Sequence, residues 1–375
     1  MASSKWRCLL LLLIFDTLCA YLEPREILSL RATAKEFTVL YPSICFSQFN
    51  IKRLIRRFVQ DPVALRSKLG QYNALISGST ALQLFERVVW RDSDLDIYVK
   101  REDEEDVQSV VALREHLINF EGYTVSVIFD PEEPSEKRKS ITQIITLVKR
   151  RYEENEVKVQ IIGTTTIPLE AIITSVNALF WQQVAKYARR GWKTLETVWD
   201  DDQDYTKSLP PSENMNAIRR IGDSKTWKID LDTTGLTPGA PAYSVEYSFF
   251  KTSLREKVTG TRRKITKKWY QVDASIFQSC VLKYKYLATQ YQHPDCTFWW
   301  DPADRLNDLT RIECTKLKAD ERPLSMSRCH IDKYYKHADA VHRNTPEGWT
   351  FWDAEIPKWE AAYEKKAREK GLRDW

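Results

Sequence analysis

Apolar and polar positions alternate with a period of two from Asp94 to Val99. Asp94, Asp96 and Tyr98 fall on one face, with Leu95, Ile97 and Val99 on the other, the pattern of a half-buried strand. Before it, Tyr72 to Ser77 reads as a short buried strand interrupted at Gly78 and Ser79. A helix follows, with Thr80 and Gln83 at capping-box spacing and Leu82, Phe85 and Val89 as its apolar stripe. Helical spacing also predicts helices over Ile51 to Leu69 and Glu104 to Phe120. Tyr123 to Phe129 predicts a strand, residues 130–139 a charged loop, Ser140 to Arg151 a helix and Glu156 to Ile162 a further strand. Leu169 to Arg190 predicts a helix ended by Gly191.

The acidic run Asp200 to Asp204 and the Pro-rich Ser208 to Ser212 predict a domain limit. Beyond it the pattern is less regular: strands at Thr226 to Leu231 and Tyr243 to Phe250, then a helix from Ala274 to Tyr291. A closing amphipathic helix, Glu355 to Lys370, carries Ile356, Trp359 and Tyr363 on one side. The expected fold class is α+β. Its three parts are a helical segment at 1–50, a mixed sheet flanked by helices at 65–200 and an irregular accessory region at 205–375.

Composition narrows the function. A chain of 375 residues exceeds what one core usually supports, so several domains are expected. The formal charge of +5 is too small to make nucleic acid the partner on field alone. The basic run Arg262, Arg263, Lys264, Lys267 and Lys268, followed by Trp269 and Tyr270, reads as a solvated loop. His293, Cys296, Cys314, Cys329 and His330 lack the spacing of a zinc site, and the seven cysteines lack that of a disulfide scaffold. No P-loop, zincin helix or Gly-x-Ser-x-Gly elbow occurs.

Lys5 and Arg7 followed by Leu9 to Leu13, Ile14 and Phe15 imitate a secretory signal, though the run is too short to span a bilayer. An intracellular chain without a transmembrane segment is expected, with secretion the alternative if residues 1–20 are a signal. Leu22, Pro24, Ile27, Leu28, Leu30 and Phe37 follow the order of the second half of an F-box, which this segment resembles. The resemblance implies docking of residues 9–37 on the adaptor of a cullin-type ubiquitin ligase. A plain helical cap is the other reading.

Gly78 and Ser79 stand between a strand and a helix N-terminus, where free N–H groups and the helix dipole favour a phosphate. Asp94 and Asp96 lie two apart on the next strand, with Cα atoms about 7 Å apart, a spacing at which two carboxylates share a divalent cation. Strand, Gly-Ser, helix, then a strand bearing Asp-Leu-Asp-Ile resembles the nucleotidyltransferase superfamily with its polymerase-β-like fold. The resemblance implies that Gly78 and Ser79 hold a nucleoside triphosphate and that Asp94 and Asp96 hold Mg²⁺. It also implies a third carboxylate on a later strand.

That strand, Val157 to Ile162, puts Lys158 and Gln160 on its polar face, so the acid is missing. Gln160 would offer a carbonyl without charge or basicity, and the Lys158 ammonium is expected near Asp94 and Asp96, neutralising them. The reading is a degenerate, nucleotide-binding transferase fold. The alternative is an active Mg²⁺-dependent enzyme moving a nucleoside monophosphate to a protein, small molecule or RNA. Ile172 to Asn177 and Lys186 to Gly191 loosely resemble segments of uncharacterised fungal proteins with the same core.

Overall fold

A computed structural model describes residues 14–33, 35–101, 108–130, 140–150, 156–173, 218–223, 229, 231–237, 241–259, 264–289, 300–318, 341 and 345–369. The chain divides into two units. The first is Met1–Pro168 with a returning segment, Trp227–Gly239; the second is Leu169–Thr226 with Ala240–Trp375. The limit expected near residue 200 lies outside the described residues.

In the first unit, local chemistry sets where helices begin. After α1 (residues 14–21), α2 (Pro24–Thr33) and α3 (Lys35–Gln48), the Asn50 side chain accepts the Arg53 N–H and starts α4 (Ile51–Ile55). Asp61 accepts the Val63 and Ala64 N–H groups and Pro62 fills the first position of α5 (Pro62–Gln71). The single helix expected over 51–69 is therefore two, with a fresh cap between them.

Next come β1 (Leu75–Ser77), α6 (Gly78–Glu86), β2 (Leu95–Lys100), α7 (Gln108–Asn119), β3 (Thr124–Phe129), β4 (Ile141–Arg150) and β5 (Glu156–Thr164). The sheet order is β1-β2-β5-β4-β3, with β2 and β5 parallel and the other neighbours antiparallel. This is a mixed sheet flanked by helices, in an α+β unit. One sheet face is apolar: Leu95, Ile97, Val99, Ile145, Leu147, Val159 and Ile161 bury against Val110, Leu113 and Leu117 of α7 and Ile55, Phe58, Leu65 and Leu69 near α4 and α5.

The helix expected over 140–151 is β4. Ile141, Ile144, Ile145 and Val148 fall at helical intervals, but Ile144 and Val148 stay half-buried while Ile145 and Leu147 bury completely, two apart as in a strand, and Ile141 is buried beyond a shift in register between Ile141 and Gln143. β3 is the outer strand among the described residues, uncharged and exposed along its length. A shift in register between Val125 and Val127 gives it one surplus residue against β4.

Helix α7 is fastened at its end. Glu121 is buried and accepts the Gln60 N–H at 2.6 Å and the Asp61 N–H at 3.0 Å, while Tyr123 donates to the Phe58 carbonyl at 2.7 Å. His116 is buried one turn earlier, stacked obliquely on Phe120, and its Nε2 has no hydrogen-bond partner. Burial lowers its pKa, aided by Lys68 and opposed by Glu121 and Asp61. A depressed folded pKa means that the unfolded chain takes up the proton first, so stability falls as pH drops below the usual histidine value near 6.5. His116→Leu is expected to remove that part of the acid sensitivity. The check is the difference between variant and parent in urea unfolding at two pH values, up to about 1.4 kcal/mol per pH unit; equal slopes would refute it.

The N-terminal helices form a small core of their own. Phe15, Cys19, Ile27, Tyr41 and Phe49 bury together with Leu22, Leu30, Phe37, Leu84 of α6 and Ile229 of the returning segment, and Phe15 stacks on Phe37. Arg87, in the left-handed region just after α6, donates to the Cys19, Leu22 and Gln48 oxygens and covers the Phe49 ring. The F-box-like apolar stripe is thus used within the chain at Ile27, whereas Ile14, Leu18, Tyr21, Val39 and Phe46 remain exposed.

The returning segment grips α4 and α5 by polar contacts. Lys52 pairs with Asp232 at 2.6 Å, and the Thr237 N–H donates to the Ser67 hydroxyl at 3.1 Å. The Lys52 ammonium and Thr234 hold the Asp232 carboxyl well below the usual carboxylate range.

The described helical residues 168–173 (α8) begin at Pro168, where the main segment of the first unit ends, and the expected helix to Arg190 leaves the described residues after 173; the rest of α8 belongs to the second unit. That unit continues with β6 (Ile218–Arg220), α9 (Tyr243–Glu246), β7 (Phe249–Thr259) and β8 (Lys264–Asp273). Then follow β9 (Ser275–Phe277), β10 (Tyr286–Ala288), α10 (Trp300–Thr315) and α11 (Ile356–Glu369). Strands β6, β7 and β8 form one antiparallel sheet, β9 and β10 a hairpin pair. Three expectations change here. Tyr243 to Phe250 is a helical turn followed by the start of β7, and Ala274 to Tyr291 contains two short strands instead of a helix. The described residues Ile229 and Leu231 are not strand. The run Phe277 to Leu282 is buried on all sides, so it has no amphipathic period to display. The closing helix is present as α11, with Ile356 fully buried and Trp359 and Tyr363 packed on the same core.

Candidate functional site

Ser77 ends β1 in extended conformation, and Gly78 turns the chain into α6 with φ +69°. That angle favours glycine, and so does the space beside it: a Cβ on Gly78 would lie 2.0 Å from Asp96 Oδ2. The carboxylate of Asp96 therefore rests against the Gly78 Cα. Ser77 makes no side-chain cap hydrogen bond at the α6 start, so its own hydroxyl does not satisfy the first N–H groups of the helix.

Sheet register brings the other residues into line. Ser77 is opposite Asp96, Asp96 opposite Gln160, and Gln160 opposite Thr146, a polar row crossing four strands. Leu95 and Ile97 are completely buried on the opposite face, which directs Asp96 and Tyr98 to this one, half-buried. Asp94 stands at the entrance to β2, half-buried, its backbone carbonyl accepting the Thr80 hydroxyl at 2.7 Å. Gly78, Ser79, Asp94, Asp96 and Gln160 thus converge on the region where β1, α6, β2 and β5 meet.

Thr80 and Gln83 do not form the expected capping box, because the helix already begins at Gly78. Both are buried and join α6 to the loop before β2. Gln83 donates to the Ser79 carbonyl at 3.1 Å and accepts the Trp90 N–H at 2.7 Å. Arg57 completes the brace, donating to Gln83 Oε1, to the Trp90 carbonyl and to the Ser93 hydroxyl. Burial pulls the Arg57 pKa down without a carboxylate to oppose it. Neither residue is a site candidate from the sequence: Arg57 falls inside the helix expected over 51–69, and Gln83 reads there only as half of a capping box.

Lys158 does not take the expected place. It is exposed and pairs with Glu156 at 3.5 Å, and the β2–β5 ladder begins only at Leu95 opposite Val159, so Lys158 lies past its end. Among the described residues no group of three or more His, Cys, Asp or Glu side chains gathers for a metal ion. Two carboxylates, the Gln160 amide oxygen and hydroxyls are hard oxygen donors of the kind Mg²⁺ takes, but they supply two negative charges where a two-metal site has more.

Most of the other candidates lie outside the described residues. His293, Cys296, Cys329 and His330 lie outside the described residues, as do Arg262, Arg263, Lys186, Arg189 and Arg190; Cys314 packs in a small apolar cluster with Cys280, Val341 and Trp349. Lys264, Lys267 and Lys268 are strand residues of β8 instead of loop. No described helix is long and apolar enough to cross a membrane. No protein-family model, no curated protein and no solved structure matches the chain.

Proposed function

We propose that the first unit is a nucleotidyltransferase-type core that binds a nucleoside triphosphate but transfers poorly or not at all. The observation that carries this is Gln160 opposite Asp96 in the parallel β2–β5 ladder, the register at which a third ligand carboxylate would be needed. In this reading the Gly78–Ser79 turn and the α6 N-terminus receive the phosphates. Asp94 and Asp96 hold a single Mg²⁺ with the Gln160 carbonyl, and the ion would neutralise phosphate charge. No side chain at position 160 can then take a proton from an acceptor hydroxyl. Arg57 and Gln83 keep the turn and the aspartates at fixed separation.

Restoring the acid tests it. Gln160→Asp is expected to tighten Mg²⁺-dependent triphosphate binding by about tenfold or more, since one added opposite charge near a cation contributes roughly 1–2 kcal/mol at a half-buried site. Calorimetry with Mg²⁺ and each triphosphate reads this, and Asp96→Ala should abolish binding in either background. Incorporation of labelled nucleoside monophosphate into any acceptor by the unaltered protein would overturn the degenerate reading in favour of an active enzyme. If a ubiquitin-ligase adaptor is the partner of the N-terminal helices, Ile14, Leu18, Tyr21, Val39 and Phe46 supply the contact, because Phe15 and Ile27 are turned inward.

A further inference from the structure

The second unit carries a charge cluster that the proposed nucleotide site does not use. Arg220, at the end of β6, directs its guanidinium onto α11, with Nε 2.9 Å from Glu360 and Nη2 3.2 Å from Glu364. The two carboxylates are one helical turn apart and share this cation, and Arg368 reaches Glu364 from the exposed side at 3.0 Å. The Tyr247 ring covers the guanidinium at 5.1 Å, and Glu246 of α9 lies close enough to act on the Tyr247 hydroxyl. Glu360 and Arg220 are largely shielded from water, with side chains 9% and 13% exposed. Arg368 answers Glu364 only from the water side, its own side chain 68% exposed and screened, so at the buried end two ionised carboxylates compete for Arg220 alone, and a proton on one of them relieves that competition.

We propose that α11 is a latch held shut by one proton shared between Glu360 and Glu364, and that loss of this proton releases the helix from β6 and the α9 turn. Release would uncover Ile356, Trp359 and Tyr363, which pack on the core of this unit. The latch is independent of what binds at Gly78 and Asp96.

Its working range follows from the surroundings. Burial, then the hydrogen bond with Glu364, pushes the Glu360 carboxyl up to about 8, against the pull of Arg220. Burial also presses on Glu364, but the hydrogen bond from Glu360 and the Arg220 charge outweigh it and set that carboxyl below its ordinary value. Glu360 in the released helix regains its ordinary value of 4.5. A raised pKa in the docked state means that docking is strongest near the ordinary value and weakens as pH rises toward 8, by up to about tenfold per pH unit, and then levels off.

Amide hydrogen exchange of residues 356–369 in the full chain, corrected for the chemical exchange rate, measures docking from pH 5.5 to 9. The expected loss of protection is up to about 300-fold between pH 5.5 and 8, with a plateau above. Glu360→Gln keeps a neutral hydrogen-bonding side chain and should make protection independent of pH. A parent protein without the slope, or a variant with the same slope, overturns the latch. Should the variant fold poorly, the carboxyl carbon of Glu360 in the parent decides by NMR, and titration complete below pH 6 refutes it.

Discussion

Gly78→Ala is expected to cost about 2–4 kcal/mol of stability in the first unit and to eliminate the Mg²⁺-dependent nucleotide binding proposed for it. Two separate penalties combine. A φ of +69° is strained for any residue with a Cβ, and that Cβ would sit 2.0 Å from Asp96 Oδ2, so the carboxylate or the strand behind it must move. Leu95 and Ile97 flank Asp96 in a fully buried layer, so β2 has little freedom to retreat. Gly122 provides the control: its φ is +73° but nothing lies within 4 Å of a built Cβ. Gly122→Ala should therefore show only the backbone penalty, about 1–2 kcal/mol, with ligand binding intact. Urea unfolding and calorimetry on both variants check this, and equal effects at the two glycines would remove the assigned contact.

Asp353→Ala should destabilise the second unit by about 3–5 kcal/mol. The Asp353 carboxylate is buried, just before α11, and accepts three hydrogen bonds: from the Lys283 N–H at 2.6 Å, the Tyr284 N–H at 3.1 Å and the Tyr286 hydroxyl at 2.9 Å. It substitutes for a ladder partner in the turn between β9 and β10. Burial, then the Asp353 charge, raises the Tyr286 pKa far above its usual value, so the phenol remains a donor throughout the working range. Alanine leaves two N–H groups and a buried phenol without their acceptor, each a cost of about 1–3 kcal/mol. Asp353→Asn, which keeps an acceptor oxygen, is expected to lose less, and Tyr286→Phe to lose about 1 kcal/mol. Unfolding followed by tryptophan fluorescence reads all three; a loss below that of Tyr286→Phe would contradict the assigned role.

The parts of the chain that were legible are those whose structure is local. Leu95, Ile97 and Val99 alternate with Asp96 and Tyr98 because one face is dry, and alternation is visible in any half-buried strand. The glycine turn, and the place of Gln160 on the polar face of its strand, could be read for the same reason. β4 was not legible, since Ile141, Ile144, Ile145 and Val148 satisfy a helical stripe, and the pairing with β3 and β5 decides the matter from outside the segment. The brace from Arg57 to Gln83, the hold of Arg87 on Cys19 and Leu22, and the Asp353 acceptor all join residues distant in sequence. No periodicity announces such bonds. The return of residues 227–239 to the first unit is equally non-local, fixed by Lys52 and Ser67.

The surplus residue in β3 decides more than a local kink. Pairing Val127 with Thr146 and Ile128 with Ile145 turns Val125 and Ile128 together toward the helix side of the sheet, where regular pairing would have separated them. With no lysine or proline anywhere in Thr124–Phe129, that irregularity is what the strand itself offers against joining a foreign strand. Crowding and heat are the conditions under which this rim governs behaviour, and a sequence change that evened out the strand would trade solubility for fibre growth.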